Sequence, residues 1–193
     1  LEKAGGFRDG VMPLETLNTI FSGLTFAVIA ATAITAVVQL RHLRASNQIS
    51  ALIRLLEDWK QPEFQQWTQF VRRELPARVR DPEFMAGLLE LRPDRSVHPE
   101  LHICDYYEQL GSYFKYSMLD LASFLDVASY TVSDLYRNAR PCIDKMRELR
   151  GPSLYENFEY LAVQCLIWTK RHPQGAYPRG LPRFADIDVK ESP

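Results

Sequence analysis

From Thr16 to Leu40 the chain runs for 25 consecutive residues without a charged side chain, and Phe26-Ala-Val-Ile-Ala-Ala-Thr-Ala-Ile-Thr-Ala-Val-Val38 within it is almost wholly apolar. At ~1.5 Å of rise per residue a helix of this length reaches roughly 37 Å. That is enough to cross a hydrocarbon core of about 30 Å with some tilt. Asn18 and Gln39 fall near the two ends, where water or headgroups satisfy them. The hydroxyls of Thr25, Thr32 and Thr35 can bond back to helix carbonyls. A core helix of a globular protein would show a charged face over such a length, and none is present. A cleaved leader would open on Lys or Arg, yet nothing between Met12 and the apolar run is basic, although Ala30-Ala31-Thr32-Ala33 is similar to a cleavage site. The pattern predicts one membrane-spanning helix over residues 14–40.

The period then changes from uniformly apolar to amphipathic. Ile49, Leu52, Ile53, Leu56 and Trp59 repeat at helical spacing, so the helix is expected to continue to about Lys60. Pro62 opens a second helix with Phe64, Trp67, Phe70 and Val71 on one face, limited near Leu75 by Pro76. Asp81-Pro82-Glu83 reads as a cap, a first-turn proline and a first-turn acid, starting a short helix through Leu91. After a polar connection over 93–97, His98-Pro99-Glu100 begins a longer helix. Its Ile103, Tyr106, Tyr107, Leu110, Tyr113, Phe114 and Met118 follow the 3.6-residue period and predict a central core helix. Asp120 caps a short segment through Val127; a further helix from about Ser129 to Arg150 is expected to be kinked or interrupted at Pro141. Gly151-Pro152 is a stop signal, and Ser153-Leu-Tyr-Glu156 has the form of a capping box opening a last helix with Leu154, Phe158, Leu161, Cys165 and Trp168 as its buried stripe.

No strand run is visible. The expected fold class is all-α: one N-terminal transmembrane helix continuing into an irregular cytoplasmic helical bundle. Residues 1–13 read as a disordered or upstream tail, with Met12 a natural start, residues 14–40 as the span and 41–171 as the helical domain. Residues 172–193, rich in proline and glycine, read as an extended or disordered tail with local anchoring by Tyr177, Leu181 or Phe184.

Charge decides sidedness. Arg41, Arg44, Arg54 and Lys60 follow the span and only Lys3 and Arg8 precede it, which puts the C-terminal side in the cytoplasm. At 193 residues with 46% hydrophobic side chains the chain suffices for one core and an anchor. From Arg41 onward 21 basic residues balance 21 acidic ones, so nucleic acid is not an expected partner. Cys104, Cys142 and Cys165 are far apart, form no CxxC pair and read as reduced, mostly buried thiols. Gly23, Ala27, Ala31 and Thr35 recur every four residues and would let a second span approach closely, giving a homo-oligomer; an Ala-rich span without that role has the same composition.

Candidate chemistry is sparse. His98 and His102 stand four apart near Cys104, Asp105 and Glu108, but His98 precedes Pro99 where the helix is only beginning and no second ligand pair exists, so solvated or capping histidines are expected and no metal site. Glu156 with Glu159 and Glu108 with Asp105 are paired carboxylates of the kind that flank any buried stripe. There is no GxSxG elbow, no GxxxxGK loop and no GxGxxG turn, hence no expected cofactor. Arg72, Arg73, Arg78 and Arg80 form a basic cluster that can touch anionic lipid or stand as a solvated helix end. Tyr106, Tyr107, Tyr113, Phe114 and Tyr116 are spaced as core rather than as a stacking platform.

Gln39-Leu-Arg41, Tyr106-Tyr107-Glu108, Arg140-Pro141-Cys-Ile143 and Pro152-Ser-Leu-Tyr155-Glu-Asn-Phe158-Glu159-Tyr-Leu161 carry a resemblance. With these motifs the chain, from about Leu14 to Arg171, resembles a large uncharacterised bacterial family of short proteins in which a membrane helix continues into a small cytoplasmic helical domain, classed as a domain of unknown function. The resemblance implies the architecture and a bacterial inner-membrane location, and no chemistry. Its polar positions Arg140, Tyr155 and Glu159 are expected to form a structural ion pair. The leading functional expectation is a membrane-tethered interaction module that contacts lipid and an unidentified protein partner through an interhelical groove or the basic patch. The alternatives are a membrane-anchored enzyme or stress or defence effector with polar groups around Pro141, and a domain that only supports self-association of the anchor.

Overall fold

The computed structural model describes residues 13–188, and all of its regular elements are helices. These are α1 (Leu14–Asp58), α2 (Pro62–Arg73), α3 (Leu75–Arg78), α4 (Pro82–Gly87), α5 (Glu100–Lys115), α6 (Leu121–Arg150), α7 (Glu156–Arg171) and α8 (Phe184–Asp188). The expected tail over 1–12 with Met12, Lys3 and Arg8 lies outside the described residues, as do 189–193 and the side chain of Arg44. The chain divides into two compact units between Asn47 and Gln48.

In the first unit the apolar part of α1 is buried nowhere, and among the described residues α1 is the one helix long and apolar enough to cross a membrane. Phe21, Phe26 and Ile34 are 61%, 74% and 66% exposed. Its hydroxyls are satisfied internally: Thr25, Thr32 and Thr35 donate to the carbonyls of Phe21, Val28 and Ala31, each at 2.8 Å.

The second unit is built on three helices. The contacts of α7 with α5 and with α6 are the most extensive in the domain, and α2 packs on both α5 and α6. Leu52, Leu55 and Trp59 of the amphipathic stretch join the core, as their period predicts. At the centre Tyr107 of α5 stacks on Phe158 of α7 at 5.1 Å, and Tyr136 of α6 meets the same ring edge-on at 5.0 Å. Cys104, Cys142 and Cys165 are buried free thiols; burial raises all three, the last two to about 12.

Several local expectations are corrected. Helix α5 ends at Lys115 rather than reaching Met118. Ser117 turns left-handed at φ 55°, the Met118 N–H bonds back to the Tyr113 carbonyl at 2.9 Å, and Met118 is left exposed. Asp120 does cap a helix, accepting from the Ser123 N–H at 2.9 Å, but that helix is the unbroken 30-residue α6. Pro141 lies inside it and interrupts nothing: it sits on the exposed face, where water can reach the Arg137 carbonyl that a proline leaves unpaired. Helix α4 stops at Gly87, short of Leu91, which is 95% exposed. The tail after Arg171 includes the short helix α8, and of its three expected anchors Tyr177 makes a bond, to the Pro182 carbonyl at 2.9 Å, while Leu181 and Phe184 are exposed.

The start of α7 departs furthest from expectation. The box Ser153-Leu-Tyr-Glu156 does not form; the residue before α7 is Tyr155, left-handed at φ 56°, with no side-chain cap of its own. The cap comes from Glu108 on α5. Its Oε2 accepts the backbone N–H groups of Asn157 and Phe158, each at 2.9 Å, and its Oε1 accepts Asn157 Nδ2 at 2.7 Å. One carboxylate thus meets two of the donors that any helix start leaves unpaired, and its charge suits that end of the dipole. One turn along α5, Gly111 lies directly against the Asn157 carbonyl, where a Cβ would overlap it.

Two substitutions test this seam by chemical denaturation. Glu108→Ala is expected to lower the unfolding free energy by about 1–2 kcal/mol, the usual cost of a lost cap. In an exposed helix Gly→Ala would stabilise by about 1 kcal/mol. Here Gly111→Ala is expected to destabilise by about 1–3 kcal/mol through overpacking, so the sign alone decides whether α5 and α7 are in backbone contact.

Candidate functional site

Helix α2 is two-faced. Phe64 and Val71 turn fully inward with Trp67 and Phe70 half-buried beside them, while Gln65, Thr68, Gln69 and Arg72 succeed one another at i, i+3, i+4 and i+7 along another face. That polar stripe, with Phe64, Arg73, Trp59 just before α2 and Thr131 of α6, lines a groove of about 360 Å³. Arg72 holds α2 to α6 through Nε–Asp134 Oδ2 at 3.1 Å. Arg73 stands at the groove exposed and, among the described residues, unpaired by any carboxylate. The Thr68 hydroxyl is buried there without a hydrogen-bond partner. Chemically this is a concave, weakly cationic surface of amides, hydroxyls and aromatic edges, able to bind acceptor-rich groups and carrying no group that titrates near neutrality.

The sequence-derived candidates are dispersed around it. Of the basic cluster, Arg72 and Arg73 line the groove, whereas Arg78 lies over the Phe84 ring at 5.9 Å and Arg80 is exposed in the turn after α3. Arg140 pairs with Asp144 at 3.2 Å on the solvent face of α6. Glu159 pairs with Arg147 at 2.8 Å, and Arg147 Nε also donates to the Leu154 carbonyl at 2.8 Å. Tyr155 donates to Asp105 Oδ1 at 2.9 Å, and Asp105 is bridged to Arg95 at 2.6 Å. Arg140, Tyr155 and Glu159 therefore stand in three separate networks. In the first unit Gly23, Ala27, Ala31 and Thr35 share one helix face; Ala31 and Thr35 border a shallow depression with Val28, Thr32, Ala36 and Gln39.

His98 is buried rather than solvated, His102 is half-buried, and neither is the cap of α5. His102 stacks on Trp67 at 4.2 Å and 12°, and burial, helped by Arg95, lowers its pKa. His98 is 2% exposed, its ring tilted at 45° against Phe84 at 4.4 Å, with Nδ1 2.9 Å from Oε1 of Glu100, which is fully buried. Its Nε2 abuts Gly87 so closely that a Cβ there would come within 2.7 Å. Glu100 Oε2 has no partner, and burial raises the carboxyl above its usual range despite the histidine. This pair is sealed from solvent and closes the α4–α5 junction. No group of three or more His, Cys, Asp or Glu is placed to hold a metal ion among the described residues.

Sequence reasoning missed the groove, the buried pair and the Glu108 cap. The groove had a signal, the helical spacing of Gln65, Thr68, Gln69 and Arg72, which the stronger apolar period of Phe64, Trp67, Phe70 and Val71 masks. The other two pair residues across a proline or across about fifty positions, and no local pattern announces them.

A family model described as "Domain of unknown function (DUF4760)" matches residues 26–165, from within α1 to within α7, and takes in every groove residue. No curated protein and no solved structure matches the chain.

The buried pair predicts a pH signature. Because the folded state raises the Glu100 pKa above the unfolded value near 4.5, the folded chain keeps that proton longer than the unfolded chain does. The contribution is complete below the unfolded value and is lost as pH rises through the folded one. Glu100→Gln keeps the shape and removes the titration. Its unfolding free energy is expected to fall less than the parent's from acid to neutral pH; parallel curves would show that the carboxyl is not desolvated.

Proposed function

We propose that this chain, which belongs to the family described as "Domain of unknown function (DUF4760)", is a single-pass protein of a bacterial inner membrane whose C-terminal helical domain acts in the cytoplasm as an interaction module. The anchor is α1, and its uniformly exposed apolar stretch supports that role. Arg41, Arg54 and Lys60 after the span favour the cytoplasmic side for the domain. The binding element is the groove along α2, and the observation that carries this reading is its lining. Trp59, Phe64, Gln65, Thr68, Gln69, Arg72, Arg73 and Thr131 include no carboxylate, imidazole or thiol, so the concavity offers recognition groups and no acid or base to activate its two threonine hydroxyls. The partner is a protein presenting acceptor groups to Arg73 and the two amides. Within the bilayer the Gly23, Ala27, Ala31, Thr35 face is where a second copy would approach.

Two experiments test this. Crosslinking pull-downs from cells should recover a partner with the full chain, and at least tenfold less with Gln69→Trp/Arg73→Glu, which fills the groove and reverses its charge; equal recovery would remove the groove from the proposal. For sidedness, Asn18→Cys and Ser46→Cys are treated with a membrane-impermeant maleimide on intact cells, the native thiols being buried. Labelling of Asn18→Cys alone is expected; labelling of Ser46→Cys alone would invert the orientation.

A further inference from the structure

Between Glu159 and Asp186 the chain has no carboxylate, while Lys170, Arg171, Arg179 and Arg183 place four cations there, in a protein whose formal net charge is -1. None of the four is in an ion pair among the described residues. The same stretch turns apolar side chains outward. On α7, Phe158, Leu161, Ala162 and Cys165 face the core, yet Val163, Leu166 and Ile167 are 44%, 41% and 37% exposed at i, i+3 and i+4, with Lys170 next on that face.

After α7 the chain forms a loop stitched by its own bonds. Gly175 and Gly180 supply positive φ, Tyr177 bonds to the Pro182 carbonyl, and Arg183 Nη2 donates to the Gln174 carbonyl at 2.9 Å while its guanidinium lies over the Tyr177 ring at 4.6 Å. Asp186 is used internally: its Oδ2 accepts the Arg183 N–H at 2.8 Å. What this ordered loop presents is Leu181 at 59%, Phe184 at 80% and Ile187 at 52% exposure. Beside them Arg171, His172 and Arg179 line a concavity of about 380 Å³. His172 Nδ1 donates to the Trp168 carbonyl at 3.0 Å with its ring tilted at 36° against Trp168 at 4.1 Å, which holds the imidazole against α7.

We infer that the outer face of α7 and the loop over 172–187 form a second membrane contact that binds an anionic phospholipid surface. Arg171, Arg179 and Lys170 meet headgroup phosphates, and Leu181, Phe184 and Ile187 enter the acyl boundary. A nucleic acid would satisfy the cations but offers no apolar phase to the aliphatic side chains, so the combination favours lipid. The inference rests on the membrane-anchored reading of α1 and concerns a segment that lies mostly beyond the residues of the family match, 26–165.

The test uses the full chain with Ala185→Cys carrying an environment-sensitive nitrobenzoxadiazole label, in nanodiscs of phosphatidylcholine alone or with one third phosphatidylglycerol. With the anionic lipid the label is expected to shift to the blue and be quenched by brominated acyl chains, and trypsin cleavage after Arg179 and Arg183 to slow at least tenfold. Arg171→Glu/Arg179→Glu, both exposed and outside the core, should abolish the blue shift, the quenching and the slowing of cleavage after Arg183, the site of the two that it retains, at an unchanged unfolding temperature. Equal label exposure and cleavage in the two discs would overturn the inference while leaving the anchor intact. Equal protection in neutral discs by inorganic phosphate or by a short single-stranded DNA would overturn the lipid assignment. A chain that fails to enter the discs would overturn the anchored reading itself.

Discussion

Everything in the helical domain depends on where α7 begins, and that point is fixed by a residue of another helix. A left-handed Tyr155 with no side-chain cap leaves the first turn of α7 to expose unpaired N–H groups to the interior. Glu108 takes up two of them, and Gly111 lets the Asn157 carbonyl sit directly on α5. Together the two residues set the distance, direction and register of α7 on α5. The stack of Tyr107 on Phe158 and the Tyr155–Asp105 bond then fall into place along the same seam, and the Tyr136 edge contact and the Glu159–Arg147 bridge tie α7 to α6.

Polar groups in this protein divide by task. At the α5–α7 seam Glu108 and at the α4–α5 junction the His98–Glu100 pair direct their hydrogen bonds into the fold itself. Those on α2 are left with capacity unspent, as the unpartnered Thr68 hydroxyl and the unpaired Arg73 show. The two surfaces to which binding is assigned, the α2 groove and the cationic C-terminal stretch, hold the cations Arg73, Lys170, Arg171 and Arg179, which make no ion pair among the described residues.

Much of the architecture was legible because it rests on local rules. Twenty-five uncharged residues are read as one long apolar helix, the Ile49–Trp59 period as its amphipathic continuation, and Asp81 and Asp120 as caps, because each signal lies within one or two turns of what it controls. The errors arose where a distant group overrode a local one. Ser153 and Glu156 have the spacing of a capping box, but Glu108 outcompetes it from across the core. Pro141 has the local character of a break, and burial of Ala139, Cys142, Ile143 and Met146 on the opposite face carries α6 through it. The basic cluster was visible as composition, yet only Arg72 and Arg73 reach the groove, since α2 ends between them and Arg78.

The three thiols carry a consequence for the compartments in which the domain can persist. Raising Cys142 and Cys165 from 9.0 to about 12 leaves roughly a thousandfold less thiolate at neutral pH than an ordinary cysteine would have. Oxidation and disulfide exchange proceed through the thiolate, and Cys104 is pushed in the same direction. The three cysteines are therefore poor targets for peroxide and glutathione disulfide, and a shift in cellular redox poise finds no exposed thiol among them to act on.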